Sequence, residues 1–177
     1  NSQGVPIFLV GGSVRDALLG AAVRDLDIVV EGNAATLAST VAGALGGKVS
    51  SLSQFGTAIL KLSGKRLDLA MARREVYVMP GALPKVEAST IQEDLGRRDF
   101  SINAMAIALS GPEAGQLLAA HGGRKDLEQG LIRVLHPNSF LDDPTRVLRA
   151  VRYEQRLRFR LEDETLNFLR EGLEKRI

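Results

Sequence analysis

Short apolar runs bounded by glycines or polar turns recur through the first half of the chain, and they predict strands separated by helices. We expect strands at residues 7–10, 26–30, 48–52, 57–62 and 66–70. Stretches rich in alanine and leucine predict two helices between them. Ser13 is the expected N-cap of the first helix, which ends at Gly20, and Asn33 is the expected N-cap of the second, which ends at Gly46.

Later in the chain the pattern becomes more helical. We expect a short helix at residues 90–95, a strand or a helix at 103–109, a strand at 132–135, a proline-containing loop at 77–87, and amphipathic helices at about 144–157 and 162–176. The composition changes after Pro137, which predicts a first domain at 1–137 and the start of a helical region at 138–177. Strands first and helices last predict an α/β (α+β) fold with a mixed sheet. The lack of a regular βαβ alternation argues against a doubly wound dinucleotide-binding fold.

Composition narrows the possible functions. The 177 residues are 45% hydrophobic and 25% charged, as in an ordinary globular protein, and a net charge of +2 is too small to indicate nucleic-acid binding. The absence of cysteine excludes disulfide scaffolds, thiolate zinc sites and cysteine nucleophiles, and it is compatible with a reducing cytosol. No apolar run approaches the length of a membrane-spanning helix. Because the chain starts with Asn1 and stops within a helical pattern, we expect it to be part of a longer protein.

Two predicted strands carry carboxylates that could share a cation. Asp25 and Asp27 lie two residues apart at the start of one strand, so their side chains point to the same side. Asp68 lies on the polar face of another strand. If the two strands are neighbours, three hard oxygen donors converge, a set that suits Mg²⁺ together with substrate phosphates. The alternative is a solvated strand edge.

A glycine pair precedes these carboxylates and could hold an anion. Gly11 and Gly12 connect a strand to a helix, where free backbone N–H groups favour phosphate, and Arg15 could add a charged fork. The alternative is ordinary turn chemistry.

Polar groups in the second half could recognise a nucleoside. Asp99 and Asn103, close to Arg98, have the donors and acceptors needed to hold a sugar hydroxyl. Asp143 and Arg146 could meet the edge of a base, although Asp143 is equally suited to cap the helix that follows.

An arginine stripe follows in the same helix. Helical spacing places Arg146, Arg149, Arg152 and Arg156 along one drifting side. Residues 143–160 contain six arginines and two acidic residues, which favours RNA as a partner.

Four motifs carry a resemblance to a known family. They are, in order, Gly11–Gly20 with Asp25–Asp27, Leu67–Leu69 with Arg73 and Glu75, Arg97–Ala104, and Asp142–Arg146 with Arg149 and Arg152. Together they closely resemble the catalytic head and neck of the bacterial-type (class II) tRNA nucleotidyltransferase and poly(A) polymerase family. The resemblance covers roughly residues 7–160. It implies a polymerase-beta-like nucleotidyltransferase head with a mixed sheet, followed by a helical neck.

The resemblance implies an enzyme that adds C and/or A from CTP and ATP to the 3′ end of tRNA without a template, in the cytoplasm and without a membrane partner. It implies two Mg²⁺ ions, with Asp25, Asp27 and Asp68 as the catalytic metal ligands. It also implies nucleotide-binding residues: Gly11, Gly12 and Arg15 at the triphosphate, Arg98, Asp99 and Asn103 at the ribose, Asp143 and Arg146 at the base, and Arg149 and Arg152 in the same motif.

Other functions are open at this level. A poly(A) polymerase that extends RNA 3′ ends would share the same head. The carboxylates disfavour a non-catalytic RNA-binding module, and the arginine stripe disfavours a nucleotidyltransferase for small molecules. The segment Leu118–His121 lacks the acidic residue that relatives generally carry there, so A addition, CC addition and full CCA addition all stay possible.

Overall fold

The computed structural model describes residues 4–23, 25–53, 56–63, 65–76 and 84–174. The strands in this part of the chain are β1 Ile7–Val10, β2 Leu26–Val30, β3 Lys48–Leu52, β4 Thr57–Leu62, β5 Lys65–Met71, β6 Arg73–Val76, β7 Lys85–Ala88, β8 Ala106–Ala108, β9 Leu117–Leu118, β10 Leu131–Ile132 and β11 Arg160–Leu161. The helices are α1 Gly12–Leu18, α2 Ala34–Leu45, α3 Ile91–Gly96, α4 Gly123–Gln129, α5 Ser139–Asp142, α6 Thr145–Leu157 and α7 Asp163–Glu174, with a 3₁₀ turn at Ser101–Asn103.

The main sheet is mixed, as the sequence predicts. Its strand order is β3-β4-β5-β2-β1-β8-β9. β2 and β5 pair in parallel, and the other neighbouring strands pair antiparallel. β6 pairs with β7 and β10 pairs with β11 in two small separate sheets. The prediction of an α/β (α+β) fold with a mixed sheet is therefore confirmed.

Helices cover the two faces of this sheet unequally. On one face, α2 packs through Leu37 and Ala38 against Leu60 and Leu69 of the strands. On the other face, the short helix α3 packs over the β1 side of the sheet, near Val29. Side chains alternate along a strand, so the residues two positions before Val29 and Ala70 also project from the α3 face. Those two residues are the carboxylates of β2 and β5.

A third apolar cluster joins the head to the helical region. Phe100 and Ile132 pack with Phe140 and Ala150, so residues from both sides of Pro137 share one core. β10 and β11 also pair across this position. The domain boundary near residue 137 stays a prediction, and the packing across it is continuous.

Ser13 does not cap α1, contrary to the sequence expectation. Gly11 is the N-cap residue, with φ of 63°. The Ser13 hydroxyl instead donates to the Asp25 carbonyl oxygen at 2.9 Å and accepts from the Asp27 N–H at 3.0 Å. This serine therefore joins α1 to the start of β2. The cap of α2 is as expected, because Asn33 accepts from the Thr36 N–H.

Of the strand or helix expected at 103–109, the structure has the buried strand, β8. Two further expectations need adjustment. The strand expected at 132–135 is β10, which begins one residue earlier and ends at Ile132. The expected loop at 77–87 ends in β7, because that segment finds a pairing partner in β6; its residues 77–83 lie outside the described residues. None of the helices that the structure describes is long and apolar enough to cross a membrane.

Two glycine substitutions test this packing. A Cβ at Gly43, inside α2, would meet no described atom within 4 Å, whereas a Cβ at Gly123 would clash with the carbonyl oxygen of Ser101. We expect Gly43→Ala to raise the free energy of unfolding by about 0.5–1 kcal/mol, because alanine loses less backbone entropy. Gly123→Ala should lower it by about 2 kcal/mol, because the backbone must shift. Urea denaturation measures both, and effects of equal sign would contradict the packing described for α4.

Candidate active site

Carboxylates of two neighbouring strands lie side by side on the α3 face of the sheet. The parallel register of β2 and β5 makes Asp27 and Asp68 direct partners. Asp25 lies immediately before β2, held through its backbone by Ser13. The two strands that carry the carboxylates are therefore neighbours, as the predicted cation site requires.

The charges around Asp27 oppose its ionisation. Burial raises the pKa of the Asp27 carboxyl above its ordinary value of 3.8, and the negative charges of Asp68 and Asp25 raise it further. Arg98 and Arg66 lower this pKa, but they do not cancel the increase. A partly desolvated carboxylate thus faces two others, and this charge distribution attracts an additional cation.

The donor chemistry fits Mg²⁺, but the carboxylates do not form a finished metal site. Within the residues that the structure describes, no three His, Cys, Asp or Glu side chains are grouped so that they could hold a metal ion. Both oxygens of Asp68 accept from Nε of Arg66, at 2.9 and 3.1 Å. Asp25 and Asp68 are close enough to Asp27 to raise its pKa, but Asp68 is paired with Arg66, so the predicted metal site of three carboxylates stays a prediction. The Arg66 side chain is 54% exposed, and so exposed an ion pair is easily exchanged.

A cavity of about 1090 Å³ lies beside the carboxylates, bordered by α1, the 3₁₀ turn and α6. Its size suits a ligand as large as a nucleotide. The predicted site residues that line it are Gly12, Arg15, Asp25, Asp27, Arg98, Asp99, Asn103, Asp143, Arg146 and Arg149. The predicted residues that do not line it are Gly11, Asp68 and Arg152.

The glycine pair allows Arg98 to approach the start of α1. Gly11 has a left-handed φ of 63°, and a Cβ at this position would lie 2.5 Å from Nη1 of Arg98. Any larger residue would therefore both strain the turn and displace the guanidinium. Asp94, which is fully buried, holds Arg98 from the other side, with Nη2 donating to Oδ2 at 2.9 Å.

Arg15 is not available to a ligand in this structure. It is 1% exposed, and its Nε and Nη2 donate to Asp16 at 2.8 and 2.7 Å. Its Nη1 donates to Oδ1 of Asn103 at 2.6 Å, and its guanidinium lies 5.2 Å from the ring centre of Tyr153. Each of its nitrogens already donates within the protein, and the contact of Arg15 with phosphate stays a prediction.

Asp99 links the 3₁₀ turn to α6. Its Oδ1 accepts from the Phe100 N–H at 2.9 Å and from Nδ2 of Asn103 at 3.0 Å. Its Oδ2 accepts from Nε and Nη2 of Arg149 at 2.8 and 2.6 Å. The two residues predicted to hold a sugar hydroxyl, Asp99 and Asn103, are thus hydrogen-bonded to each other. Asp99 also connects the head to the helical region through Arg149.

One face of α6 borders the cavity, through Arg146, Arg149, Tyr153 and Arg156. Arg156 donates to Oδ2 of Asp16 at 2.9 Å. Arg152 is exposed and does not line the cavity, so its predicted nucleotide contact stays a prediction. At about 100° per residue, Arg152 projects about 40° beyond Arg156, at the edge of the face that borders the cavity. The spacing 146–149–153–156 was the signal that would have identified Tyr153 and Arg156.

The start of α6 is held by local contacts. Asp143 Oδ1 accepts from the Thr145 N–H at 3.0 Å and from the Thr145 hydroxyl at 2.6 Å, although the N-cap position of α6 is Pro144. Arg146 is buried, and it donates to the Ser139 hydroxyl and to the Arg97 carbonyl oxygen. Contact of either residue with a base stays a prediction.

Sequence reasoning missed a buried acid that organises the Arg97–Arg98 pair. Asp94 accepts from Nη2 of Arg97 at 2.7 Å and from Nη2 of Arg98 at 2.9 Å. Arg97 Nη1 also donates to Glu75 at 2.8 Å. The signal was present, because an acid three and four residues before two arginines on one helix can contact both.

Comparison with known proteins adds independent information about these residues. The family described as the Poly A polymerase head domain matches residues 7–133, which include the carboxylates, the glycine pair and the 3₁₀ turn. The chain belongs to this family.

Relatives of this head domain differ in the nucleotides their names specify. The chain is 51% identical over 162 residues to the A-adding tRNA nucleotidyltransferase of Halalkalibacterium halodurans, covering 91% of the chain and 38% of that protein. It is 43% identical over 152 residues to the CC-adding tRNA nucleotidyltransferase of Deinococcus radiodurans, covering 85% of the chain and 41% of that protein. A solved CCA-adding enzyme in an apo form superimposes with a TM-score of 0.93 at 51% identity, covering 98% of the chain and 41% of that structure. The chain therefore spans about two fifths of these proteins.

The raised pKa of Asp27 gives a prediction about stability. We expect Asp27→Asn to unfold at a higher temperature than the wild type at pH 7, because the uncharged amide removes the buried like-charge repulsion. The folded-state pKa is raised, so the wild type carries this penalty above that pKa and loses it as the pH falls towards 3.8. The advantage of the variant should therefore disappear on acidification. Thermal unfolding between pH 7 and pH 4 measures it.

The exposed carboxylate of Glu171 supplies the control. Glu171→Gln should change the melting temperature little at either pH. If Asp27→Asn melted at a lower temperature than the wild type at pH 7, the carboxylate of Asp27 would not be destabilising, contrary to the repulsion described above.

Proposed function

We propose that this head domain catalyses the transfer of C and/or A from CTP and/or ATP to the 3′ end of tRNA. The observation that carries the proposal is the register of β2 with β5, which pairs Asp27 with Asp68 beside a nucleotide-sized cavity. Membership of the head-domain family and the tRNA nucleotidyltransferase names of the relatives support the same reaction. We expect a cytoplasmic enzyme, as the resemblance implies.

Asp25, Asp27 and Asp68 would hold the two Mg²⁺ ions of the proposed reaction. When bound, such ions lower the pKa of the attacking 3′-hydroxyl and neutralise charge on the phosphates. Release of Asp68 from Arg66 is the local change that the protein must make to complete this set. The repulsion among the carboxylates favours that change once positive charge is available between them.

Arg98 is the residue that we assign to the triphosphate. Its guanidinium also donates within the protein, to Asp94, but its side chain is 17% exposed, whereas that of Arg15 is 1% exposed. It lies against Gly11 and close enough to Asp27 to affect its pKa, so it is next to the point where the nucleotide phosphates would meet the carboxylates. Arg15 then acts indirectly, because it holds Asn103 and Asp16 in place. Positioning and charge stabilisation are sufficient for phosphoryl-type transfer, and they require little acid–base chemistry from the protein.

The base of the incoming nucleotide would meet the start of α6. Asp143 and Arg146 line the cavity there, and a carboxylate and a guanidinium can accept from and donate to a base edge. Arg149 would support the ribose side through its contact with Asp99. A poly(A) polymerase acting on RNA 3′ ends is the alternative that uses the same groups.

Removal of one carboxylate tests the reaction. We expect Asp27→Ala and Asp25→Ala each to reduce nucleotide incorporation by roughly a thousandfold or more, because each removes a proposed ligand of the charge-stabilising ions. Glu171→Gln, at an exposed position on α7, should keep wild-type turnover. Radiolabelled nucleotide incorporation into tRNA with Mg²⁺ measures the effect. Near-normal turnover of either alanine variant would overturn the assignment of these carboxylates.

A primer series separates the possible specificities. The protein at its full natural length is incubated with tRNAs that end before the first C, after one C and after CC, each with CTP or ATP alone. Extension by one A only after CC would indicate an A-adding enzyme, whereas long adenylate tails on every primer would indicate a poly(A) polymerase. We expect Arg146→Ala to reduce discrimination between CTP and ATP more than it weakens triphosphate binding, and an unchanged preference would contradict the base-reading role.

A further inference from the structure

Three cationic side chains form a row across the sheet beside the carboxylates. The register pairs Arg66 of β5 with Lys61 of β4, and Lys61 with Lys48 of β3. Directly paired residues project from the same face of a sheet, so the three side chains are neighbours; we call them the cationic row. Asp68, two residues after Arg66 on β5, shares this face. The row therefore begins beside the proposed reaction centre and ends at the β3 edge of the sheet.

The charges of the row are largely uncompensated. Lys48 and Lys61 are exposed, and neither has an ion-pair partner within the described part of the chain. Residues 48–66 contain four cationic side chains and no acidic one. α2 packs on the opposite face of these strands, so it does not cover the row.

The arginines of α6 offer less free charge, although the sequence favoured them as the RNA-binding surface. Arg146 is buried, Arg149 is paired with Asp99, and Arg156 is paired with Asp16. Among the four arginines of the stripe, only the exposed Arg152 has no ion-pair partner in the described part of the chain, whereas both lysines of the row have none. The surface that can attract a polyanion is therefore better sought on the sheet.

We propose that the cationic row binds the sugar–phosphate backbone of the RNA 3′ end and directs its terminal hydroxyl towards the carboxylates. The proposal rests on the function proposed above, since it names the surface that receives the RNA in that reaction. Adjacent strands lie about 4.8 Å apart, so the row extends about 10 Å from Arg66 to Lys48, the scale of a few nucleotides. Lysines contact phosphates without reading bases, which suits a surface that must accept 3′ ends of different sequence.

A double substitution tests the row, and the same hairpin supplies a matched control. Lys48→Gln combined with Lys61→Gln removes two of its charges. Lys65→Gln removes one charge from β5, but Lys65 pairs with Leu62 and projects from the opposite face. A third variant, Lys48→Arg combined with Lys61→Arg, keeps the charge at both positions.

The measurement is binding of a fluorescently labelled tRNA that lacks its 3′-terminal A to the protein at its full natural length, over a range of salt concentrations. We expect the double glutamine variant to bind about tenfold more weakly and its plot of log affinity against log salt to flatten by about 1.4, since each single-strand phosphate contact contributes about 0.7. The lysine-to-arginine variant and Lys65→Gln should resemble the wild type. The KM for ATP should be unchanged in all three variants.

Outcomes for the row and for the reaction are distinguishable. If the double glutamine variant binds RNA with the same affinity and salt slope as Lys65→Gln, the cationic row is not an RNA-binding surface. This conclusion holds even if the enzyme adds nucleotides normally. Loss of RNA binding in that variant, together with full turnover by Asp27→Ala, would support the row and overturn the catalytic carboxylates instead.

Discussion

The parallel pairing of β2 with β5 is the constraint on which the candidate site depends. Apolar packing fixes it, because Leu69 of β5 is 2% exposed against α2, and alternation then sends Asp68 to the opposite face beside Asp27. A slip of one residue would exchange these faces, burying the carboxylate under α2 and exposing the leucine. The hydrophobic core and the arrangement of the acidic groups are therefore consequences of the same register.

Buried acids determine where the arginines of the cavity point. Asp94 holds Arg98, and Asp99 holds Arg149, so charged groups from separate elements are fixed before any ligand arrives. Removal of one partner from such a pair is destabilising by about 3–5 kcal/mol when the other charge stays buried. The contact between Asp99 and Arg149 also connects the head to α6, which borders the cavity.

Most of the fold was predictable from the sequence, and the site was predictable in part. Strand alternation and the Asn33 cap are local signals, which is why β1–β5 and α2 lie where the pattern placed them. The partner of a long side chain is not a local signal. Arg15 donates to Asn103, 88 residues away, and the sequence gives no sign of this contact. The ion pair between Arg66 and Asp68 could not be predicted either, because the sequence does not reveal which cation a carboxylate will contact.

The relatives indicate how one head can serve several specificities. The A-adding, CC-adding and CCA-adding proteins compared above share 43–51% identity with this chain, so similar head domains occur in proteins whose names specify different nucleotides. Reading a base requires donors with a fixed orientation, since a mobile guanidinium would adapt to either base edge. Arg146 has that property, because Ser139 and the Arg97 carbonyl oxygen hold it in a buried position. Differences in specificity are then expected from differences in the position of α6 relative to the 3₁₀ turn, since α6 carries Arg146.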